Sequence, residues 1–248
     1  MTVLYFSSTG NCLYVAKRIG GNILSIPKCI RDNIKEIEDE AVGIVFPVYG
    51  LCVPPYIKEF IENITIQTHY LFGIATYGCF PGAVCSQLSG ITTKNGRSFD
   101  YIQRLKMGEN CVTFSDMANS KGDSDRQQKD LELIIEDIIA HKAFIRGDSP
   151  FKKLLTKDHM KNYEFETGVG ITDKLMITSS CAGCGTCVKM CPMGNISMKA
   201  GKPAFGNNCI SCGACIQNCF TGAIHHENEK SAARYRNPHI KPEELLCS

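Results

Sequence analysis

Between Cys181 and Cys219 the chain reads CAGCGTCVKMCP, a spacer, and then CISCGACIQNCF. Cysteines stand at 181, 184, 187 and 191, a C-x2-C-x2-C-x3-C run, and the same run recurs 28 residues on at 209, 212, 215 and 219. Ile196 and Ile224 keep that offset beyond the last cysteine of each run. No other stretch restricts the fold as strongly. Eight thiols within 39 residues must all be satisfied, and their doubled spacing says by what.

Structural zinc prefers paired C-x2-C knuckles and four ligands, often with histidine. A third cysteine two residues on, repeated twice, does not suit that geometry. A disulfide framework needs an oxidising compartment. A cubane [4Fe–4S] core asks for one thiolate on each of four irons. Three cysteines two residues apart wrap one such core, and the fourth lies beyond reach and ligates the other. The run resembles that of bacterial two-cluster ferredoxins. It implies one cluster on Cys181, Cys184, Cys187 and Cys219, and a second on Cys209, Cys212, Cys215 and Cys191. Gly183, Gly185 and Gly213 let the backbone approach the sulfurs and turn N–H groups toward them.

The chain has 248 residues, 44% hydrophobic and 21% charged, a globular composition. It contains no apolar run long enough to span a membrane. The opening MTVLYF carries no basic region ahead of an apolar run, so no export signal is expected. With fifteen cysteines and no such signal, we expect a reducing cytoplasm. Seven cysteines lie outside the repeated runs: Cys12, Cys29, Cys52, Cys79, Cys85, Cys111 and Cys247. Most are expected to be small buried hydrophobes. The formal net charge of +2 counts thiols as neutral, and two clusters at −2 each would bring it to −2. Between Cys181 and Ile224 the protein itself contributes Lys189, Lys199 and Lys202 and no carboxylate, which favours adding an electron.

The first part of the chain alternates strand-like and helix-like segments. Thr2 to Phe6 is an apolar β-rich run that stops at Ser7-Ser8-Thr9-Gly10-Asn11, and a helix follows with Leu13, Val15, Ala16 and Ile19 as its apolar positions. A strand, a hydroxyl-rich glycine loop and a helix N-terminus make an anion site. No Walker-type lysine is present, and no G-x-G-x-x-G opens a helix after a strand, so nucleoside triphosphatase and dinucleotide readings drop out. Further strands are expected at 22–26, 41–45, 70–76 and 99–105. The loops Phe46-Pro47-Val48-Tyr49-Gly50 and Tyr77-Gly78-Cys79-Phe80-Pro81-Gly82 end two of them, ahead of helices at 54–61 and 83–88. Residues 106–129 read as a long loop and 131–145 as a helix. Residues 151–172 read as a connector, and His225-His226 as an exposed polar pair rather than a metal site. In a parallel sheet of this kind ligands bind outside the carboxyl ends of the strands, where strand order reverses.

The loop Ser7-Ser8-Thr9-Gly10-Asn11 resembles the phosphate loop of flavodoxins, with Cys12 where that pattern ends in threonine. The resemblance implies FMN held by Ser7, Ser8, Thr9, Gly10, Asn11 and Cys12, by Pro47, Val48, Tyr49 and Gly50, and by Thr76, Tyr77 and Gly78. Tyr49 and Tyr77 are the candidates for stacking on the flavin ring. Taken whole, the chain is similar to the flavodoxin–ferredoxin fusion proteins of anaerobes. Lys230, Arg234-Tyr235 and Asn237-Pro238 look like that family's tail. It departs from the family at Met107-Gly108-Glu109-Asn110-Cys111 and at Cys219-Phe220.

The fold class expected is therefore α/β, a flavodoxin-like doubly wound parallel sheet of five strands, followed by a small α+β two-[4Fe–4S] ferredoxin domain. The domains would be 1–150 for FMN, 151–172 as connector, 173–228 for the clusters and 229–248 as tail. The function implied is electron transfer between FMN, two clusters and redox partner proteins, with no nucleic acid and with room for a homodimer. An electron carrier fits better than a dedicated oxidoreductase enzyme, because no catalytic acid, Ser-His-Asp set or carboxylate pair can be argued. The alternative is a flavin-dependent reductase of a small substrate fed by its own clusters.

Overall fold

The structure is a computed structural model that describes residues 1–120, 124–162 and 172–246. It divides into two compact units. One comprises Met1–Ser7, Asn11–Met107 and Asp123–Glu164, and the other Ser8–Gly10, Gly108–Gly122 and Phe165–Ser248.

In chain order the first unit opens with β1 (Thr2–Tyr5), α1 (Asn11–Ile19), β2 (Asn22–Ser25), α2 (Ile26–Arg31), β3 (Glu36–Glu38), β4 (Ala41–Pro47) and α3 (Pro55–Asn63). It continues with β5 (Thr65–Gln67), β6 (Tyr70–Tyr77), α4 (Val84–Leu88), β7 (Tyr101–Lys106), α5 (Asp125–Ile139), β8 (Phe144–Ile145) and α6 (Pro150–Asn162). Six strands form one parallel sheet in the order β2-β1-β4-β6-β7-β8. The short β3 and β5 pair separately. All of β4 and nearly all of β6 are buried, as their continuous apolar sequences require of central strands covered on both faces. From β1 the chain steps one way to β2 and then back past β1 to β4, so strand order reverses at β1.

The sheet has six strands where five were expected. Phe144 and Ile145 share the apolar period of the preceding helix, but α5 stops at Ile139 and His141 turns left-handed at φ 50°. Phe144 N then donates to Asp100 O at 2.9 Å and Arg146 N to Ile102 O at 3.0 Å, which adds β8 beside β7. The same helix begins earlier than its apolar face suggests, because Ser124 Oγ caps it by accepting from Gln127 N at 3.2 Å. The expected connector contains α6; its residues 163–171 lie outside the described set. Just beyond β8, Asp148 pairs with Arg104, and its other oxygen accepts from Ser86 N at 2.9 Å.

The second unit contains β9 (Leu175–Ile177), α7 (Thr186–Met190), β10 (Ile196–Lys199), β11 (Lys202–Phe205), α8 (Ala214–Gln217) and β12 (Ile224–His226). β10 pairs antiparallel with β11 and β12 with β9. Its core joins Val112, Met117, Cys187, Ile196, Ile216, Ile224 and Tyr235. The stretch read as a loop over 106–129 thus supplies two core residues. It also contains a 3-10 turn at Met117–Asn119, capped by Asp116 Oδ1 accepting from Ala118 N at 2.9 Å. The histidine pair is not exposed: His226 is buried, and His225 Nδ1 meets Glu229 Oε1 at 2.6 Å. Burial works against the charge of Glu229, yet bonds from His225, the His226 backbone and Arg234 hold its carboxyl below the usual range. Arg234 closes this group by donating to Ile224 O at 2.9 Å.

Among the described residues no helix is long and apolar enough to cross a membrane. Cys12, Cys29, Cys52 and Cys85 are buried and Cys79 and Cys111 exposed, while Cys247 lies outside the described residues.

Candidate functional site

The repeat in sequence is a repeat in backbone. Gly185 and Gly213 sit at matching positions ahead of α7 and α8, with φ of 72° and 67°. Gly194 and Gly222 match likewise, at 58° and 63°. Gly183, at φ 65°, is matched by Ser211 at φ 55°, a serine doing what a glycine does more cheaply. The two outlying cysteines are treated alike: Asn195 N donates to Cys191 Sγ at 3.2 Å and Ala223 N to Cys219 Sγ at 3.2 Å. Backbone N–H groups aimed at sulfur stabilise charge there. Two hydroxyls lie close as well, Thr186 Oγ1 at 3.3 Å from Cys184 Sγ and Thr221 Oγ1 at 3.6 Å from Cys219 Sγ.

One cavity of the second unit is bounded by Cys181, Cys184, Cys187 and Cys219, with Met198, Pro203 and Ile224 among its walls. The thiols influence one another mostly within the two expected sets, with Cys187 acting across them on Cys215. Charge on Cys219 would oppose ionisation of Cys184 and of Cys187, and charge on Cys191 that of Cys209. Cys215 is raised well above the ordinary thiol range, first by burial and then by Cys212, Cys209, Cys191 and Cys187. Burial raises Cys187 and Cys209 too. Cys184 is lowered, chiefly by its bond with Thr186. For Cys219 burial is opposed, and outweighed, by bonds from Thr221, Ala223 and Ile224. Buried thiols of this kind ionise when metal replaces their protons. Among the described residues no three His, Cys, Asp or Glu side chains converge on a single-ion site. The irons of a cubane occupy a cage rather than a point, so its thiolates stand farther apart than those of a tetrahedral ion. The donor set, eight thiols of which four line one cavity, is of the kind that iron–sulfur clusters require.

In the first unit, three neighbouring strands end along one edge. Tyr5 is in register with Val45, and Pro47 with Thr76. Beyond them Phe6 N donates to Val45 O at 3.0 Å and Val48 N to Thr76 O at 2.8 Å. Ser7 follows β1 at this edge, Val48 to Gly50 follow β4, and Tyr77 and Gly78 close β6. Tyr49 sits edge-on to Phe6, with ring centroids 6.4 Å apart, and its backbone pairs with Cys52 around a turn. Both Tyr49 and Tyr77 are half-buried. Asn11 and Cys12 open α1 and are buried. Cys12 Sγ lies 3.1 Å from Thr76 Oγ1. Burial pushes the Cys12 thiol up to about 12 against that bond, so it stays neutral and brings no negative charge to the loop.

Ser8, Thr9 and Gly10 belong to the second unit, and their partners come from its distant segments. Thr9 Oγ1 accepts from Asn110 Nδ2 at 2.7 Å, and Thr9 O from Asn237 N at 2.8 Å. Ser8 O accepts from Asn218 Nδ2 at 2.9 Å. Gly10, at φ 99°, tolerates no side chain: a Cβ there would stand 3.0 Å from both Asn237 Cβ and Ile240 Cβ. Asn237 falls in the tail that carries the resemblance and Asn110 in a stretch where the chain departs from it, but nothing in the sequence ties either to this loop. Asn218, hidden between two cysteines, has no sequence signal that singles it out.

Residues 180–224 match the family model of the 4Fe-4S dicluster domain. They form a ferredoxin-like iron–sulfur domain suited to electron transfer. A search of curated proteins returned no match. Among solved structures the Trp repressor binding protein from Bacillus subtilis is similar, at 14% identity and a TM-score of 0.35 over 59% of this chain and 99% of that one. So loose a likeness decides nothing about the fold.

Proposed function

We propose that the chain is a cytoplasmic electron-transfer flavo-iron–sulfur protein, with an FMN-binding, flavodoxin-like first part and a two-[4Fe–4S] second part. The observation that carries the reading is the doubled cysteine run on a doubled backbone, and the ligand sets we assign to it are Cys181, Cys184, Cys187 with Cys219 and Cys209, Cys212, Cys215 with Cys191. Supporting the flavin half is the strand order. Counting only the strands of the large sheet, it runs 2-1-3-4-5-6, and flavodoxin-like sheets run 2-1-3-4-5 with FMN at the reversal.

FMN exchanges one or two electrons, and the clusters one each. The residues would divide the work as follows. Ser7 to Cys12 receive the phosphate at the N-terminus of α1, where negative charge is favoured. The Thr9 hydroxyl accepts from Asn110 and so keeps its own proton for an anion. Pro47 to Gly50 and Thr76 to Gly78 border the ring, with Tyr49 and Tyr77 able to stack. One observation of fit is that burial keeps the Cys12 thiol protonated, so the start of α1 sets no negative side chain against a phosphate.

The test is anaerobic reconstitution with iron, sulfide and FMN, followed by flash reduction. About eight irons and one flavin are expected per chain. Flavin and cluster absorbance should then equilibrate at a rate independent of protein concentration. Four irons, or no bound flavin, would sink the reading. Equilibration that slows in proportion on dilution would leave a carrier without an internal relay. Reoxidation of the flavin by a small substrate, with no partner protein, would favour the reductase alternative.

A further inference from the structure

The loop Ser8–Gly10 and the turn that carries Cys219 are joined by a closed circuit of hydrogen bonds inside the second unit. Asn218 Nδ2 donates to Ser8 O at 2.9 Å and to Ala214 O at 2.9 Å. The residue before it, Gln217, donates from Nε2 to Asn110 O at 2.7 Å and accepts from Tyr235 N at 2.8 Å. Asn110 Nδ2 returns to Thr9 Oγ1 at 2.7 Å, and the peptide between Thr9 and Ser8 closes the circuit. Ser8, Thr9, Gln217 and Asn218 are each no more than 6% exposed. A buried, nearly saturated polar network is stiff, because any displacement strands a donor or acceptor away from water. Asn218 is also placed between two proposed ligands, next to Cys219 and three residues after Cys215.

We propose that Asn218 is a positioning residue that fixes the phosphate loop to the turn bearing Cys219, so that anion binding at the loop and the cluster held by Cys219 influence each other. The inference rests on the flavin reading above and adds the residue through which the two cofactors would be coupled. Coupling of this kind is reciprocal: whatever factor the cluster exerts on FMN affinity, FMN exerts on the cluster. Because Asn218 acts through the phosphate loop, its loss should be felt by FMN and not by riboflavin. A general loosening of the fold would affect both.

The experiment compares wild type with Asn218→Ala, both loaded with clusters and matched for iron and sulfide. It titrates each with FMN and with riboflavin, and records the electron paramagnetic resonance of the reduced clusters before and after FMN. In the variant, FMN should bind about three- to tenfold more weakly, the range expected for one lost hydrogen bond, and riboflavin within about twofold of wild type. FMN should perturb the signal of the Cys219 cluster in wild type and no longer do so in the variant. Equal FMN affinity in the two proteins, equal loss for FMN and riboflavin, or a wild-type signal indifferent to FMN would each overturn the proposal while the flavin reading stands. A loaded wild type that binds no FMN would overturn both. Should Asn218→Ala fail to hold its clusters, Asn218→Leu carries the same test, since it is close in size, adds no charge and cannot donate to Ser8 O.

Discussion

The least expected residue of the cluster domain is Ser211, left-handed where the matching position holds Gly183. A non-glycine residue pays about 1–2 kcal/mol for that conformation, and Ser211 tolerates it. Gly183 could not be exchanged as freely. A Cβ there would sit 2.7 Å from Gly201 O, in addition to the unfavourable φ of 65°. We therefore expect Ser211→Gly to keep its full iron content and to be no less stable. Gly183→Ser should lose iron from the cluster on Cys181, Cys184, Cys187 and Cys219. Iron analysis after gel filtration decides this, and a Gly183→Ser protein with undiminished iron would show that the Gly201 carbonyl can yield. The glycines were legible in the sequence because their spacing against the cysteines is regular. Ser211 was not, because nothing in a serine announces a positive φ. The roles of Asn110, Asn218 and Asn237 were illegible for a related reason: an asparagine that bonds a loop far away in sequence looks like any loop asparagine.

At the level of elements, the buried strands could be read directly. β1, β4 and β6 are apolar runs too short to be helices and bounded by turn residues. What sequence reading missed were elements whose patterns are weak or shared. β8 has two residues, both exposed, and carries the apolar period of α5 beyond the point where that helix ends. α6 leaves Phe151 and Leu154 71% and 68% exposed, so no apolar stripe marks it against its lysines. After β8 the chain is tied down by Asp148, whose side chain is 0% exposed and whose partner Arg104 is 10% exposed. Removing one member of a buried ion pair leaves the other charge stranded. Asp148→Ala should thus lower stability by about 3–5 kcal/mol, whereas the double change with Arg104→Met should recover most of the loss. Urea unfolding of the three proteins measures this, and a loss below about 1 kcal/mol for Asp148→Ala would mean that the pair behaves as if solvated.

On the scale of the whole molecule, the proposed grouping of cysteines would have each run of three complete its set with the last cysteine of the other. Cys219→Ala should disturb the cluster whose other ligands are Cys181, Cys184 and Cys187, and Cys191→Ala the one on Cys209, Cys212 and Cys215. The spectra of the two variants should show different clusters surviving, and the reverse assignment would refute the grouping. The crossing is what the spacing implies, since a fourth cysteine so close to the third cannot reach around the same cage, and these spectra are its test. The dependence of the first loop on the last segment was not readable, and it has a consequence for synthesis. Ser8 and the asparagine that holds its carbonyl are 210 residues apart. A ribosome adding roughly 5–20 residues per second needs about 10–40 s to make the second after the first. The strands beside that loop can pair long before then, and Asn110 can reach Thr9 midway, but the bonds from Asn218 and Asn237 wait until translation has passed those residues. The last restraints on a loop that is among the first things made are thus among the last things the growing chain supplies.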